Sequence, residues 1–396
     1  MKKSIKHFFF STVLITVCFL LTAQAAAMRT GDIVAEVQKT DIRAFIDGYE
    51  IPAYNINNKL GIVAEDLLGY GFNVEWNQEN KTLSVRKNAL GVYAPLDVGK
   101  SAGKMPVYFT DIVTFVDGET VESFNIGGRT IIFFSELQRY GTYVYDNDCR
   151  ASMISTDRHS FAKTTISSLP RKIIHAGGEI GGLLGSNSLE ALENTYQKGF
   201  RVIEMDFVLS SDKSPVCLHN WSQYYSNYLG SNPVSKAEFE QIKIFEKYTS
   251  LSLDRLVEWM KSHPDVYIVT DIKEDNVNVL RHIADEHPEI VSRIIPQIYQ
   301  YEEYLPVRTM GYSNIVLTLY CLPSYNDKVN SKYNAAFALK YGLLAVTGDM
   351  SLANQRFVNE YVKAGVPLYV HTVNDISEQQ KYISMGVTGV YTDYAE

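Results

Sequence analysis

From residue 171 to the end, short apolar runs alternate with helical segments. The runs are KIIHA, RVIEMDFV, PVCLH, VYIVTDIK, RIIPQIY, NIVLTLY, LLAVTG, PLYVHTV and VTGVYTD. Segments such as SLEALENTYQKG and SLDRLVEWMKSH lie between them. Strands spaced by helices of this length are parallel strands joined by crossovers. Roughly 200–250 residues close such a series into a (β/α)8, or TIM, barrel, and residues 171–396 fit that length. Nine runs compete for eight places, so either PVCLH or LLAVTG is expected to lie outside the barrel. The expected fold class is α/β: a TIM barrel preceded by a smaller N-terminal α+β domain of two repeats.

The repeats are visible in the sequence. DGYEIPAYNINNKLGIVAEDLLGYGFNVEWN starts at Asp47, and DGETVESFNIGGRTIIFFSELQRYGTYVYDN starts at Asp117, 70 residues on with no gap. Asn55/Asn125, Ile56/Ile126, Leu67/Leu137, Tyr70/Tyr140, Gly71/Gly141 and Val74/Val144 coincide. Each copy reads as strand, turn, strand, a short helix ending near Gly71 or Gly141, then a strand pair. The DG turn, the LGYGF helix end and the WNQENKTLSV hairpin resemble the copper amine oxidase N-terminal-like stalk domain of secreted bacterial proteins. The resemblance implies a spacer or a contact with the cell wall or envelope. No histidine cluster accompanies it, so copper binding is not expected. The Ser/Thr-rich stretch that follows reads as a linker. The expected boundaries are 1–25, 30–151, 152–170 and 171–396.

The first of these spans has the form of a secretory signal. Lys2, Lys3 and Lys6 precede an apolar stretch from Phe8 to Leu21, and Ala23-Gln24-Ala25 is a small-residue cleavage site. The expected location is secreted or in the extracytoplasmic envelope. Cys149, Cys217 and Cys321 remain after processing, too few and too scattered for a disulfide framework. A net charge of −8 argues against nucleic acid as a partner.

The chemistry gathers at the ends of the apolar runs. HAGG at 175–178, IEMD at 203–206 and LHN at 218–220 place His175, Glu204, Asp206 and His219 where a barrel of this kind puts its active site. Carboxylates hold a hard divalent cation. A cation neutralises phosphoryl oxygens, and two histidines serve as proton acceptor and donor. This is the inventory for metal-assisted acid/base cleavage of a phosphodiester.

The whole second half resembles the glycerophosphodiester phosphodiesterase family of barrel enzymes. Asn187-Ser188 falls at the family's Asn-Thr, Glu204 and Asp206 at its E-x-D, and His219 at the His that follows. IVTDIK stands at L-E-I-K, and VHTVND and GVTGVYTD at the closing motifs. The resemblance implies Glu204, Asp206 and Asp271 as ligands of a divalent metal ion, Ca²⁺ or Mg²⁺. It implies His175 and His219 as the acid/base pair and Lys273 as stabiliser of phosphate charge. His371 stands at a family tryptophan and is expected to line the pocket. Gln297, at a strand end, is expected to contact substrate, and Trp221 to pack an alcohol headgroup with Tyr299 and Tyr320.

Three departures bear on activity. Ala176 replaces the Arg of His-Arg-Gly, Ser186 replaces the Glu of Glu-Asn-Thr, and Asn220 replaces the Asp after His219. The glycine-rich loop Gly177–Gly185 is either a set of backbone donors for phosphate or a plain turn, with Glu179 a candidate replacement acid. The expected function is hydrolysis of glycerophosphodiesters, small molecules or lipid headgroups, to an alcohol and glycerol phosphate. Two alternatives stay open: a phospholipase- or sphingomyelinase-type lipid phosphodiesterase, and a barrel kept only as an envelope binding module.

Overall fold

The structure, a computed structural model, describes residues 28–396 except 89–93, 97, 99–103, 148–149, 157–165, 167, 223–231 and 273. The expected signal peptide, Cys149 and Lys273 lie outside the described residues.

The repeat folds as a pair of interlocked copies. β1 (Ile33–Gln38), β2 (Arg43–Ile46), β3 (Tyr49–Ile51), β4 (Ala53–Ile56), β5 (Lys59–Val63), β6 (Phe72–Asn77) and β7 (Thr82–Lys87) form the first copy. β8 (Pro106–Phe109), β9 (Val113–Val116), β10 (Glu119–Val121), β11 (Ser123–Ile126), β12 (Arg129–Phe133), β13 (Gly141–Asp146) and β14 (Ala151–Thr156) form the second. The hairpin turns carry positive φ at both central residues: Asp47-Gly48, Asn57-Asn58, Asp117-Gly118 and Gly127-Gly128. That is the two-residue turn whose twist matches the strands it joins, and it favours Asn, Asp and Gly. The expected short helix of each copy is a 3-10 segment, Ala64–Gly69 and Phe134–Tyr140, so the region is β-rich rather than α+β. Residues 152–156, expected to open the linker, are instead buried strand in β14.

Strands of both copies close a six-stranded antiparallel barrel in the order β1-β4-β5-β12-β11-β8. Where β5 meets β12, Ile62 pairs with Ile132, its own equivalent 70 residues on, which marks a local two-fold. The barrel core repeats the offset: Val37 and Val107, Ile56 and Ile126, Val63 and Phe133. Outside it, β6–β7 of the first copy pair with β9–β10 of the second, and β2–β3 pair with β13–β14. Each copy therefore completes its sheets with a hairpin of the other.

In the second half, β15 (Lys172–Ile174) and β16 (Val202–Leu209) lead to β17 (Pro215–Cys217) and a small hairpin, β18 (Lys243–Ile244) and β19 (Tyr248–Thr249). Then follow β20 (Tyr267–Ile272), β21 (Ile294–Ile298), β22 (Val316–Thr318), β23 (Ala345–Asp349), β24 (Leu368–His371) and β25 (Gly389–Thr392). β15, β16 and β20 to β25 pair in parallel, and β15 closes the ring between β25 and β16. PVCLH is the strand outside: β17 runs antiparallel along the edge of β16. LLAVTG supplies β23 and belongs to the ring.

The crossover helices include α1 (Leu189–Gln197), α2 (Lys236–Phe239), α3 (Leu253–Ser262), α4 (Asn276–Glu286), α5 (Tyr304–Thr309), α6 (Tyr325–Val329), α7 (Ser331–Tyr341), α8 (Gln355–Ala364) and α9 (Ile376–Met385). Ser188, Ser252, Asn354 and Asp375 start four of them by accepting a backbone N–H of the first turn. No described helix is long and apolar enough to cross a membrane.

The repeat region rests on α4 and α5. Phe45, Ala151 and Met153 join the apolar cluster that surrounds the parallel barrel. The Arg281 guanidinium lies 3.9 Å from the Tyr49 ring centroid, and the Tyr49 hydroxyl donates to Asp285 at 3.1 Å. The exchanged hairpins carry a direct consequence. A fragment of residues 28–104, one copy alone, is expected to show no cooperative unfolding transition by circular dichroism. A sigmoidal melt from it would mean that each copy folds by itself.

Candidate active site

Strand alternation builds the interior of the parallel barrel in layers. Ile173, Val202, Val269, Ile295, Val316, Ala345, Tyr369 and Tyr391, one from each strand, form a closed apolar cluster. Two residues further along the same strands come His175, Glu204, Asp271, Gln297, Thr318, Thr347, His371 and Asp393. The interior thus changes from wholly apolar to wholly polar in one step, toward the C-terminal ends of the strands. Asp206 stands one further inward step along β16.

Glu204, Asp206 and Asp271 bring a carboxylate oxygen each to within 4.8 Å of one another. Asp206 and Asp271 are direct register partners on β16 and β20. Backbone, amide and hydroxyl donors among the described residues help to orient them. The Ala176 backbone N–H donates to Glu204 Oε2 at 2.7 Å. Asn187 Nδ2 donates to Asp206 Oδ2 at 2.9 Å, while its Oδ1 accepts from the Asp206 backbone at 3.0 Å. The hydroxyls of Tyr299 and Tyr320 donate to Asp271 Oδ1 at 2.7 and 2.6 Å. Glu204 Oε1 is buried with no hydrogen-bond partner. Burial, then the charge of Asp206, pushes the Glu204 carboxyl well above the usual range. A carboxylate crowded in this way gains from a cation. Oxygens sharing one Ca²⁺ at about 2.3–2.6 Å lie no more than about 5 Å apart. The three residues could therefore hold a divalent ion as they stand.

His175 follows directly on β15, beside them. Its Nδ1 is 2.8 Å from Asp393 Oδ1, and its Nε2 is 3.9 Å from Glu204 Oε2. Burial alone would lower the pKa of the ring. The hydrogen bond to Asp393 and the charges of Glu204, Asp206 and Asp393 outweigh it and raise the value to about 9. Burial would raise the Asp393 carboxyl, but hydrogen bonds from His175 and Asn374 hold it below the usual range. Nδ1–H faces a carboxylate, so Nε2 is the atom that exchanges a proton with a ligand.

His219 follows Leu218, whose N–H donates to the Asp206 carbonyl at 3.1 Å. The Ser222 hydroxyl donates to Asn220 Oδ1, which turns the Asn220 amide toward His219 Nδ1 at 2.7 Å. The neutral ring then carries its proton on Nε2. The two histidines are held in opposite tautomeric senses.

The remaining expected residues divide. Gln297 is buried and lies in the polar layer. His371 is in the same layer, its ring 5.7 Å from Tyr320 and 6.1 Å from Tyr391. Trp221 is only 8% exposed; its indole N–H donates to the Leu209 carbonyl and its ring packs edge-on against Phe239, so it is a packing residue. Tyr299 and Tyr320, expected to pack a headgroup, spend their hydroxyls on Asp271 instead. The glycine loop resolves as a turn. Gly181 and Gly182 sit at φ +60° and +81° in a tight hairpin that pairs Ile180 with Leu183. The N–H groups of Gly178, Glu179, Ile180, Gly182 and Leu183 all have partners within the protein, the Gly182 partner being the Glu179 carboxylate. These amides are therefore engaged within the turn, and one Glu179 oxygen is tied into it. Ala176, at the position of the family Arg, is buried in the left-handed region at φ 49°. It touches Glu204 through its backbone, which any residue there would supply.

Asp393 closes the VYTD motif at a strand end, and its role appears only in the bond to His175. The two bonds between Asn187 and Asp206 are likewise absent from the Asn-Ser motif itself.

This fold and site are those of a hydrolase acting on phosphoric diesters. The chain belongs to the glycerophosphoryl diester phosphodiesterase family, whose sequence profile matches residues 175–396. Similar solved structures include an Oleispira antarctica phosphodiesterase in complex with the product sn-glycerol-3-phosphate, at 19% identity and a TM-score of 0.47, covering 57% of this chain and 94% of that one. A glycerophosphodiester phosphodiesterase from Thermotoga maritima is also 19% identical, with a TM-score of 0.44, covering 58% of this chain and 97% of that one. One from Parabacteroides distasonis is 15% identical, with a TM-score of 0.44, covering 57% and 94%. No curated protein sequence matches the chain.

The electrostatics of His175 give a test. In the cation-free protein its ring should stay charged through neutral pH and titrate near pH 9 by NMR. Its folded value lies above the unfolded value of about 6.5. Its stabilising contribution is therefore complete below about pH 6.5 and lost as pH rises through about 9. Asp393→Asn should move the titration down; an unmoved value would sever the pair.

Proposed function

We propose that this chain is a secreted, metal-dependent phosphodiesterase that hydrolyses glycerophosphodiesters to an alcohol and glycerol phosphate by two-histidine acid/base catalysis. The observation that carries the reading is the placement of His175, backed by Asp393, against a three-carboxylate cluster at the C-terminal mouth of the barrel.

Glu204, Asp206 and Asp271 would hold the metal ion, Ca²⁺ or Mg²⁺, which would supply positive charge to the phosphoryl oxygens and offset the anions that keep His175 protonated. Nε2 of His175 takes the proton of the attacking group, a glycerol hydroxyl or a water. The imidazolium so formed is the state that Asp393 stabilises. His219 enters the step as imidazolium, with the Asn220 amide turned over so that its oxygen accepts from Nδ1–H, and gives its Nε2 proton to the oxygen of the departing alcohol, which leaves the ring neutral. Lys273, two residues from Asp271, adds positive charge at the phosphate. Gln297 and His371 face the same polar interior and orient the bound diester. Tyr299 and Tyr320 fix Asp271 rather than the substrate.

The signal-like N-terminus supports work outside the cytoplasm. The likeness of the repeats to stalk domains supports a spacer that holds the barrel at the wall or envelope.

The test is turnover of a panel of glycerophosphodiesters with choline, ethanolamine, glycerol and inositol headgroups, with and without chelator. The expected result is release of alcohol that stops with chelator and falls by about 10²–10⁴ in His175→Ala. Turnover that survives chelator, or survives His175→Ala, would overturn the mechanism.

A further inference from the structure

The loops that follow the barrel strands carry an arc of exposed apolar side chains. Leu183 and Leu184 lie in the loop after β15, Tyr325 opens α6 after β22, and Met350 follows β23. Ile376 opens α9 after β24, and Tyr394 follows β25. In the ring β22, β23, β24, β25 and β15 are consecutive neighbours. Every one of five adjoining loops thus presents at least one large apolar side chain, up to 71% exposed for Tyr325 and 58% for Ile376. Elsewhere in the described parallel barrel, large exposed apolar residues are scattered, as Leu339 and Val362 are on separate helices. Single exposed apolar residues are ordinary, but an arc around a catalytic mouth is not.

Local structure holds the arc outward. The Gly181-Gly182 turn projects Leu183 and Leu184, and a Cβ at Gly181 would meet the Tyr248 hydroxyl at 2.5 Å. Asp349 and Asp375 beside the arc accept backbone N–H groups of the turns they start. Lys328 and Lys381 are held by the Tyr320 carbonyl and by Glu378. Between Tyr325 and the segment after Met350 a cleft of about 580 Å³ opens, lined in part by Lys332, Asn354, Arg356 and Glu360.

From this we propose that the barrel mouth docks on a zwitterionic phospholipid surface and takes its diester from there. The occupant follows from the chemistry. The apolar residues stand on five separate loops and form a rim, which suits a fluid apolar layer better than the matched relief of a protein partner. The basic pair in the cleft meets headgroup phosphates lying beside the acyl layer. The net charge of −8 disfavours an anionic surface. The substrate class named here, a phosphodiester embedded in lipid, rests on the catalytic reading above, whereas docking itself does not.

The test is flotation of the full chain with phosphatidylcholine vesicles doped with lysophosphatidylcholine. Wild type is expected to float. The triple variant Leu184→Ser, Tyr325→Ser, Ile376→Ser should float about tenfold less or worse, with its unfolding midpoint and its turnover of soluble glycerophosphocholine unchanged. The control Leu339→Ser, Val362→Ser, on the helices away from the mouth, should float as wild type does. Wild type left in the soluble fraction, or a triple variant that floats like wild type, would overturn the proposal. Flotation is read without turnover, so a failure of hydrolysis would count against the catalytic reading and not against docking.

Discussion

The placement of three carboxylates in the closed interior of a barrel is the constraint on which the site depends. Glu204, Asp206 and Asp271 sit directly above a ring of apolar side chains, with Glu204 and Asp206 about 1% exposed. Uncompensated buried charge costs several kcal/mol per ion. The surrounding donors described here, Ala176 N–H, Asn187, Tyr299 and Tyr320, orient the oxygens but bring no charge. Burial, then the charge of Asp206, raises the Glu204 carboxyl, while the hydrogen bond to Asp393 and the charges of Glu204 and Asp206 raise the His175 ring against its own burial. A cation held by the three carboxylates would lower both values, which would link binding of the ion to the proton state of His175.

The N-terminal region solves a different problem. A single copy of the repeat has too few strands to close its sheets, and the two copies complete one another by exchanging hairpins about the Ile62–Ile132 axis. The second copy's last strand, β14, then lies beside β2 of the first and meets α5 of the parallel barrel. Phe45 and Met153 pack into the barrel's outer apolar cluster, and Arg281 and Asp285 of α4 meet Gly48 and Tyr49. The repeat is thereby attached to the side of the barrel through its first DG turn, which the sequence made conspicuous for another reason.

Much of this was legible in the sequence because strand alternation is a local property. Every second residue faces inward, so His175, Glu204, Asp206, Asp271, Gln297 and His371 could be placed on one interior from their strands alone. What lay hidden was long-range pairing. Asp393 is 218 residues from its partner His175, and Tyr320 is 49 from Asp271. Nothing in VYTD or TLYC announces those bonds. The exchange of hairpins was equally invisible, since the pattern of a strand does not name its neighbour. Trp221 misled because an aromatic next to a catalytic motif looks like a ligand contact, whereas the local cluster of Phe239, Ile244 and Tyr248 claims it. The glycine loop misled because glycines suit both a phosphate cradle and a tight turn, and only the hydrogen bonds separate the two.

The most direct measurement is calorimetric titration of the full chain with Ca²⁺, and then Mg²⁺, beside the variant Glu204→Gln. A cation site made by the three carboxylates predicts binding at one ion per chain, weakened about a hundredfold or more by the variant, with proton release where His175 gives up its charge. Absence of binding by either ion, or binding that Glu204→Gln leaves unchanged, would contradict the account at its centre.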